Sequence, residues 1–407
     1  MFYYRQPKYY GEFKCIGSEC LANCCFGWNI DWSKNEIDKV KNDPNCSAEL
    51  KEIMENGFVP RTDGDENAFV VKLNEHGKCP CQTETGLCMI QKELGAEYLS
   101  KTCTVYPRYN ALHQTDNLFY RGCNLSCPEI VRMLVNDEKA TDLVNVPSKQ
   151  NHITLSLKYS FSKENISANP ELKYAEQIIE FFYELIGDKK FSIETTCTLG
   201  ALAAHNLTQL ISARQFDAIP DALKTYRKEM HYATGLRAID NIKPNYNVCF
   251  GVADKIIDDA LDYRIIDVLR DENGEPNVNR YLAGVARLNE MMKDKPFWLQ
   301  NIAQSLILEL GIPFKSLNNT VYENYSFFVA AVSCLKLNAI AAAFVPEETI
   351  IKTKGQELNL NGLDKIYGLT GILSRQIFQS NKSFDNVNKV LGEFKWDSPV
   401  YLALLIK

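Results

Sequence analysis

Cys15-Ile16-Gly17-Ser18-Glu19-Cys20-Leu21-Ala22-Asn23-Cys24-Cys25 packs four thiols into eleven residues, and the reading of the whole chain follows from it. The 407-residue sequence holds 14 cysteines, and all but Cys197, Cys249 and Cys334 precede residue 128. The opening Met1–Tyr10 carries aromatics and charges without the apolar run of a secretory leader. The expected setting is therefore the reducing cytoplasm, where clustered thiols read as metal ligands or redox groups rather than disulfides. Outward from the opening stretch the series continues through Cys79-Pro80, Cys88, Cys103 and Cys127-Pro128. Thiolates are the natural ligands of zinc and of iron–sulfur clusters. The spacing matches neither paired C-x2-C knuckles nor a ferredoxin run. The vicinal pair Cys24-Cys25 cannot easily aim both sulfurs at one metal, so it implies two sites, or one ligand beside a buried thiol. Cys46, Cys81 and Cys123 read equally well as buried small hydrophobes.

Around these cysteines the first third reads as short, turn-rich elements. Ser33-Lys34-Asn35-Glu36 is a capping box opening a helix toward Asp43. A second helix runs over Ala48 to Asn56 and stops at Gly57, and Ala68 to Leu73 is strand-like. Helical character returns over Cys88 to Tyr98 and from Pro128 to Asn136. Residues 137–151 are polar and aperiodic, and they mark a linker.

Beyond Phe161 apolar residues recur at helical spacing over Pro170–Ile186, Thr195–Phe216, Pro220–Thr234, Val248–Asp262, Arg280–Lys293, Pro296–Leu310, Ser326–Ala343 and Leu363–Gln379. No solenoid repeat is visible. The expected fold is mainly α: a Cys-rich, metal-stabilised domain over 1–136 with short helices and little strand, then an irregular helical bundle over 152–407. Ser326–Val345 is apolar enough to raise a membrane span, but Lys336 and Asn338 at its middle favour a buried core helix. A net charge of −6 argues against nucleic acid as a partner.

Ordered motifs then give a likeness. Cys15-Ile16-Gly17, Cys20 and Cys24-Cys25-x-Gly27-Trp28-x-Ile30 resemble the opening of the flagellin lysine-N-methylase family. Gly86 to Gly95 (GLCMIQKELG), Leu99-Ser100-x-Thr102-Cys103-x-x-Tyr106-Pro107-Arg108 and Ser126-Cys127-Pro128-Glu129 extend the match in order. Tyr322-Glu323-Asn324-Tyr325 is similar to a short motif farther on. The resemblance implies methyl transfer from S-adenosylmethionine to flagellin lysines. It also implies a [4Fe-4S] cluster, or zinc as the alternative, with Cys15, Cys20, Cys24, Cys25, Cys79, Cys88, Cys103 and Cys127 as the ligand pool.

The residues themselves show no strand–glycine-turn signature for the methyl donor. Gly368-Leu369-Thr370-Gly371 reads as a loop or helix break, and Cys20-x3-Cys24 lacks the third cysteine of a radical enzyme. Lysine, with a pKa of about 10.4, must be neutral to attack a sulfonium methyl. Glu93, Tyr106 and Tyr109 are therefore candidates to line a catalytic site, with Glu97 nearby, and Arg108 to steady a carboxylate of the cofactor or a cluster's charge. The competing reading is a non-enzymatic zinc- or iron-binding scaffold whose helices hold a partner.

Overall fold

A run of three aromatics, Phe2-Tyr3-Tyr4, followed by Arg5 and Gln6 builds a strand, β1 (Phe2–Pro7), at the heart of a four-stranded sheet. In the computed structural model, which describes residues 2–27, 30–62, 67–115, 118–148, 161, 163–230, 243–257, 264–347, 350–353, 356–379, 387, 389–392 and 398–407, β1 runs parallel to β6 (Leu118–Cys123) and antiparallel to β7 (Leu143–Ser148). β5 (Arg108–Thr115) completes the order β5-β6-β1-β7. Between β1 and β5 come α1 (Lys8–Glu12), β2 (Asp31–Ser33), α2 (Lys34–Lys41), α3 (Ala48–Asn56), β3 (Phe58–Pro60), β4 (Ala68–Val71), α4 (Met89–Glu93) and α5 (Lys101–Val105). The N-terminal third thus holds more strand than expected.

The expected linker is part of this sheet. Residues 143–148 pair with β1 from Leu143–Pro7 to Ser148–Phe2, and Asn301 donates to the Asp137 carbonyl at 2.9 Å. Val144 and Val146 stay exposed at the sheet edge, so the strand carries no apolar period to read. Residues 149–151 lie outside the described residues.

Residues 30–103 close a small core of their own. Ile30, Trp32, Ile37, Val40, Leu50, Met54, Phe58, Val71 and Ile90 pack together, with Trp32 edge-on to Phe58 at 5.2 Å. The Ser33–Glu36 capping box opens α2, and Gly57 ends α3, both where the sequence places them. The helix expected over Cys88–Tyr98 stops at Glu93 because Gly95 takes φ +104, a left-handed turn closed to most side chains. The strand expected to Leu73 ends at Val71.

The helical part is built around Val321–Phe344, opened by a Thr320–Glu323 capping box. This helix is long and apolar enough to cross a membrane, with a mean hydropathy of 1.9, yet 89% of that window is buried inside the protein. Its mid-helix Lys336 donates to Glu194 at 2.8 Å and to the Ile406 carbonyl at 2.9 Å, which satisfies a cation in a wall of apolar packing. Buried Lys365 donates to the Val345 and Pro346 carbonyls, so a cation sits on the helix C-terminus. The remaining expected helices are present: Ala175–Ile186 after a short 3-10 turn, Ile193–Ser212, Ile219–Met230, Tyr246–Ile256, Val278–Met291, Trp298–Leu310 and Leu363–Gln379, while the expected ends at Thr234 and Asp262 lie outside the described residues. A hairpin of Ile350–Thr353 with Gln356–Asn359 and a final helix Pro399–Ile406 were not expected.

Two expectations need correction. Gly368 to Gly371 is no break, because the Leu363–Gln379 helix runs straight through it. Its glycines instead permit close packing: a Cβ on Gly371 would lie 3.1 Å from Pro128 Cγ. Nor does packing divide at residue 136. Tyr9, Tyr109, Tyr120, Leu125, Ile130, Val131, Leu134 and Val135 belong to the same large core as the bundle helices. Tyr9 Oη meets Ser305 Oγ at 2.9 Å, and the Leu125 amide donates to Glu309 at 2.9 Å. Helix α6 (Pro128–Asn136) packs directly on the bundle.

Candidate functional site

The thiols lie along the seam between these two cores, and turn chemistry puts them there. Gly27 and Gly77 both hold positive φ, the Gly27 amide donates to the Gly77 carbonyl at 2.9 Å, and beside them Phe26 bridges Lys78. The Cys79 amide donates to the Cys25 carbonyl at 2.9 Å, which fixes the first Cys loop to the second. Gly86, at φ +81, turns a tight hairpin in which Gln82 bridges Cys88 and the Met89 amide reaches the Cys81 carbonyl at 2.7 Å. Ser100 caps α5 by accepting from the Cys103 amide at 3.1 Å. Cys127 is itself the N-cap residue of α6, followed by Pro128.

Two overlapping groups result. Cys88 and Cys103 each lie in the field of Cys24 and Cys79, while Cys127 faces Cys20 and Cys24 and Cys20 also faces Cys15. Cys24 is common to both. Backbone N–H groups already point at several of the sulfurs: that of Ala22 at Cys20, those of Gln91 and Ile90 at Cys88, and those of Ile130 and Glu129 at Cys127. Such N–H groups favour thiolate over thiol.

The proton inventory is uneven. Cys25 donates its S–H toward the Cys24 sulfur and Arg375 adds positive charge, so the Cys24 thiol is held at about 7 despite burial. Cys25 keeps that proton and is pushed up. Cys81 lowers Cys79 in the same way. Burial raises Cys20 to about 11, and Cys103 and Cys127 to about 12. Among the described residues no disulfide joins any cysteines, and no three His, Cys, Asp or Glu side chains converge tightly enough to hold a metal ion.

Arg375, on the Leu363–Gln379 helix, crosses the seam. It donates to the carbonyls of Ala22 at 2.7 Å, Asn23 at 3.1 Å and Ser126 at 3.2 Å. One guanidinium from the far end of the sequence therefore pins both cysteine loops. Sequence reading passed over it. The only cue is a helix face on which Gly368, Gly371 and Arg375 recur at i, i+3 and i+7. Cys81, set aside as a buried thiol, stands inside the first group.

The other candidates scatter. Both carboxylate oxygens of Glu93 are engaged at the start of α3, accepting from the Ser47 amide at 3.1 Å and hydroxyl at 3.0 Å. That is a structural tie between α4 and the start of α3. Glu97 lies in the turn at Gly95, and its carbonyl accepts from Lys39. Tyr106 is at the seam: its hydroxyl meets Ser126 Oγ at 3.0 Å beside Arg375, Cys24 and Cys127, and burial raises its pKa. Tyr109 is buried under the sheet, where its ring covers Gly122. Arg108 donates to the Phe13 carbonyl at 2.9 Å and stacks on Phe13 and Tyr10.

Known proteins bear on this arrangement. The model of the FliB lysine N-methylase C-terminal domain matches residues 179–405. The flagellar biosynthetic protein FliU of Salmonella muenchen is 31% identical over 159 residues, which is 39% of this chain and 92% of that protein. The lysine-N-methylase of Salmonella typhimurium is 32% identical over 139 residues, 34% of each chain, and that of Salmonella choleraesuis matches equally. The match thus spans about a third of the length of these two curated relatives. No solved structure matches. With more than half of its length under one family model, and with FliU matched over nearly all of that protein's length, the chain belongs to the FliB lysine N-methylase family of protein-lysine methyltransferases.

Proposed function

We propose that this protein is a cytoplasmic protein-lysine N-methyltransferase that uses S-adenosylmethionine and acts on flagellin, with a thiolate-held metal centre at the seam. The family match over residues 179–405 carries the reading, and the flagellar name of the FliU relative supports the substrate.

The residues suit a metal centre in kind. Soft sulfur donors from separate loops line a largely buried seam, backbone N–H groups point at them, and two thiols are already biased toward thiolate. Cys20, Cys24, Cys79, Cys88, Cys103 and Cys127 are the ligands we infer, with Cys15 and Cys25 in reserve. When bound, a [4Fe-4S] cluster would supply electrons, and zinc would supply Lewis acidity and structure. Arg375 and Tyr106 would hold the loops and exclude water beside it. A dry site lowers the pKa of an incoming lysine amine, because desolvation disfavours the ammonium.

Incubating the purified protein with flagellin and methyl-labelled S-adenosylmethionine tests the activity. Methyl-lysine should appear by mass spectrometry, and its absence in metal-replete protein counts against the reading. Metal analysis with a visible spectrum separates a coloured cluster from colourless zinc.

A further inference from the structure

The face of the four-stranded sheet that α1 covers holds two guanidiniums without a counter-ion. Arg108 and Arg121 lie on neighbouring strands. Arg121 stands directly across from Asn110, and Arg108 lies two residues before Asn110 on the same side. The Arg121 guanidinium carbon sits 3.0 Å from the Tyr4 ring centre, and the Tyr10 ring lies 5.6 Å from both guanidiniums. Among the described residues no carboxylate pairs with either. Arg121 feels only burial, the two tyrosines and the repulsion of Arg108, and its pKa falls below the usual arginine value. Two adjacent cations partly withdrawn from water are costly unless an anion completes them.

The same row carries complementary orphans. Register places Gln6 next along from the Arg5–Tyr120 pair, beside Arg121. Gln6 Oε1, Asn110 Oδ1 and Arg121 Nε are buried without a hydrogen-bond partner. Gln6 is 7% exposed and Asn110 1%. A planar fork of donors next to two amide oxygens is complementary to a carboxylate next to an ammonium. The aromatic rings of Tyr4 and Tyr10 wall the place, and β6 ends at Cys123, four residues before Cys127 of the thiol seam.

We infer that Arg108, Arg121, Asn110 and Gln6 form a binding site for an α-amino acid group, occupied by the amino-acid end of the methyl donor. This rests on the proposed dependence on S-adenosylmethionine. Arg121 carries the test, because Arg108 also ties α1 through Phe13. Calorimetric titration of the full chain would use S-adenosylhomocysteine, which has the amino acid group, and methylthioadenosine, which lacks it. In Arg121→Met, affinity for S-adenosylhomocysteine should fall roughly ten- to a hundredfold, the size of a lost charged hydrogen bond. Affinity for methylthioadenosine should not change, and Arg121→Lys should recover part of the loss. Equal losses for both ligands, or no loss for either, overturn the inference while leaving the donor reading intact. Failure of the unaltered protein to bind either compound overturns the donor reading, and the inference with it. A near-ultraviolet circular dichroism spectrum unchanged in Arg121→Met shows that the fold survives; if it does not, Arg121→Lys and Asn110→Leu carry the same comparison.

Discussion

Replacing Arg375 by Met removes three hydrogen bonds that hold the cysteine loops to the bundle, while a linear apolar stem stays in the helix face. The acceptors are carbonyls of Ala22, Asn23 and Ser126, at 2.7 to 3.2 Å. Bonds from a charged donor contribute roughly 1.5–3 kcal/mol each. The freed carbonyls recover part of this from water, because the site is only partly buried. A net cost of about 3 kcal/mol follows, or about a hundredfold in the opening constant of the loops. The large core does not depend on Arg375, so the opening should be local. In metal-free protein, amide exchange over residues 20–27 and 124–127 should quicken by about that factor, and alkylation of Cys20 and Cys24, compared above pH 9 so that the lost Arg375 charge does not limit ionisation of the opened thiols, should quicken with it. Cys197 and Cys334, buried in the bundle, should react as slowly as before. Arg375→Lys keeps the charge but reaches fewer carbonyls, so it should fall between. Unchanged rates at Cys20 and Cys24, or equal acceleration at Cys197 and Cys334, would refute the reasoning.

Cys88→Ser and Cys103→Ser should each strip metal measured by elemental analysis, whereas Cys197→Ser and Cys334→Ser should leave it unchanged; equal loss from both groups removes the seam as the metal site. Glu194 is held below the ordinary carboxylate pKa of 4.5, since the Lys336 charge and hydrogen bond outweigh its burial. Its stabilising contribution is therefore full above pH 4.5 and is lost as the pH falls through the depressed folded value. The urea midpoint of Glu194→Gln should accordingly fall less steeply below pH 4.5 than that of the unaltered protein, and parallel slopes would contradict this. Gly371→Val forces branched carbon against Pro128 and should cost about 1–3 kcal/mol by urea denaturation, with faster alkylation at Cys20; a neutral result would mean that the helix stands off α6.

Helices with a clear apolar stripe were legible to within a few residues, because burial on one face leaves a 3.6-residue record. Local chemistry was legible too: the Ser33–Glu36 box and the Gly57 stop depend only on neighbours in sequence. The sheet was not. β1 finds its parallel partner more than a hundred residues away, and β7 is an edge strand with outward-facing valines, so neither leaves an apolar alternation. Gly368 and Gly371 misled for a related reason. Glycine in a helix looks like a break until a second element is known to press against it.

The site divides along the same line. That the cysteine loops lie near one another was readable from spacing, because loops with two thiols keep them close whatever the rest of the chain does. How they are held was not readable, since Arg375 and the carbonyls it binds are separated by about 250 residues or more. This separation has a functional consequence. The family model covers residues 179–405, which contain only Cys197, Cys249 and Cys334, whereas the clustered thiols all precede residue 128. Were the bundle a separate recruiting module, the thiol loops would need their own support, and the small core of residues 30–103 reaches only one side of them. The other side is furnished by α6 and the Leu363–Gln379 helix, through Pro128 against Gly371 and through Arg375. The bundle is therefore half of the seam's wall, and any metal or methyl-donor chemistry there depends on both ends of the chain.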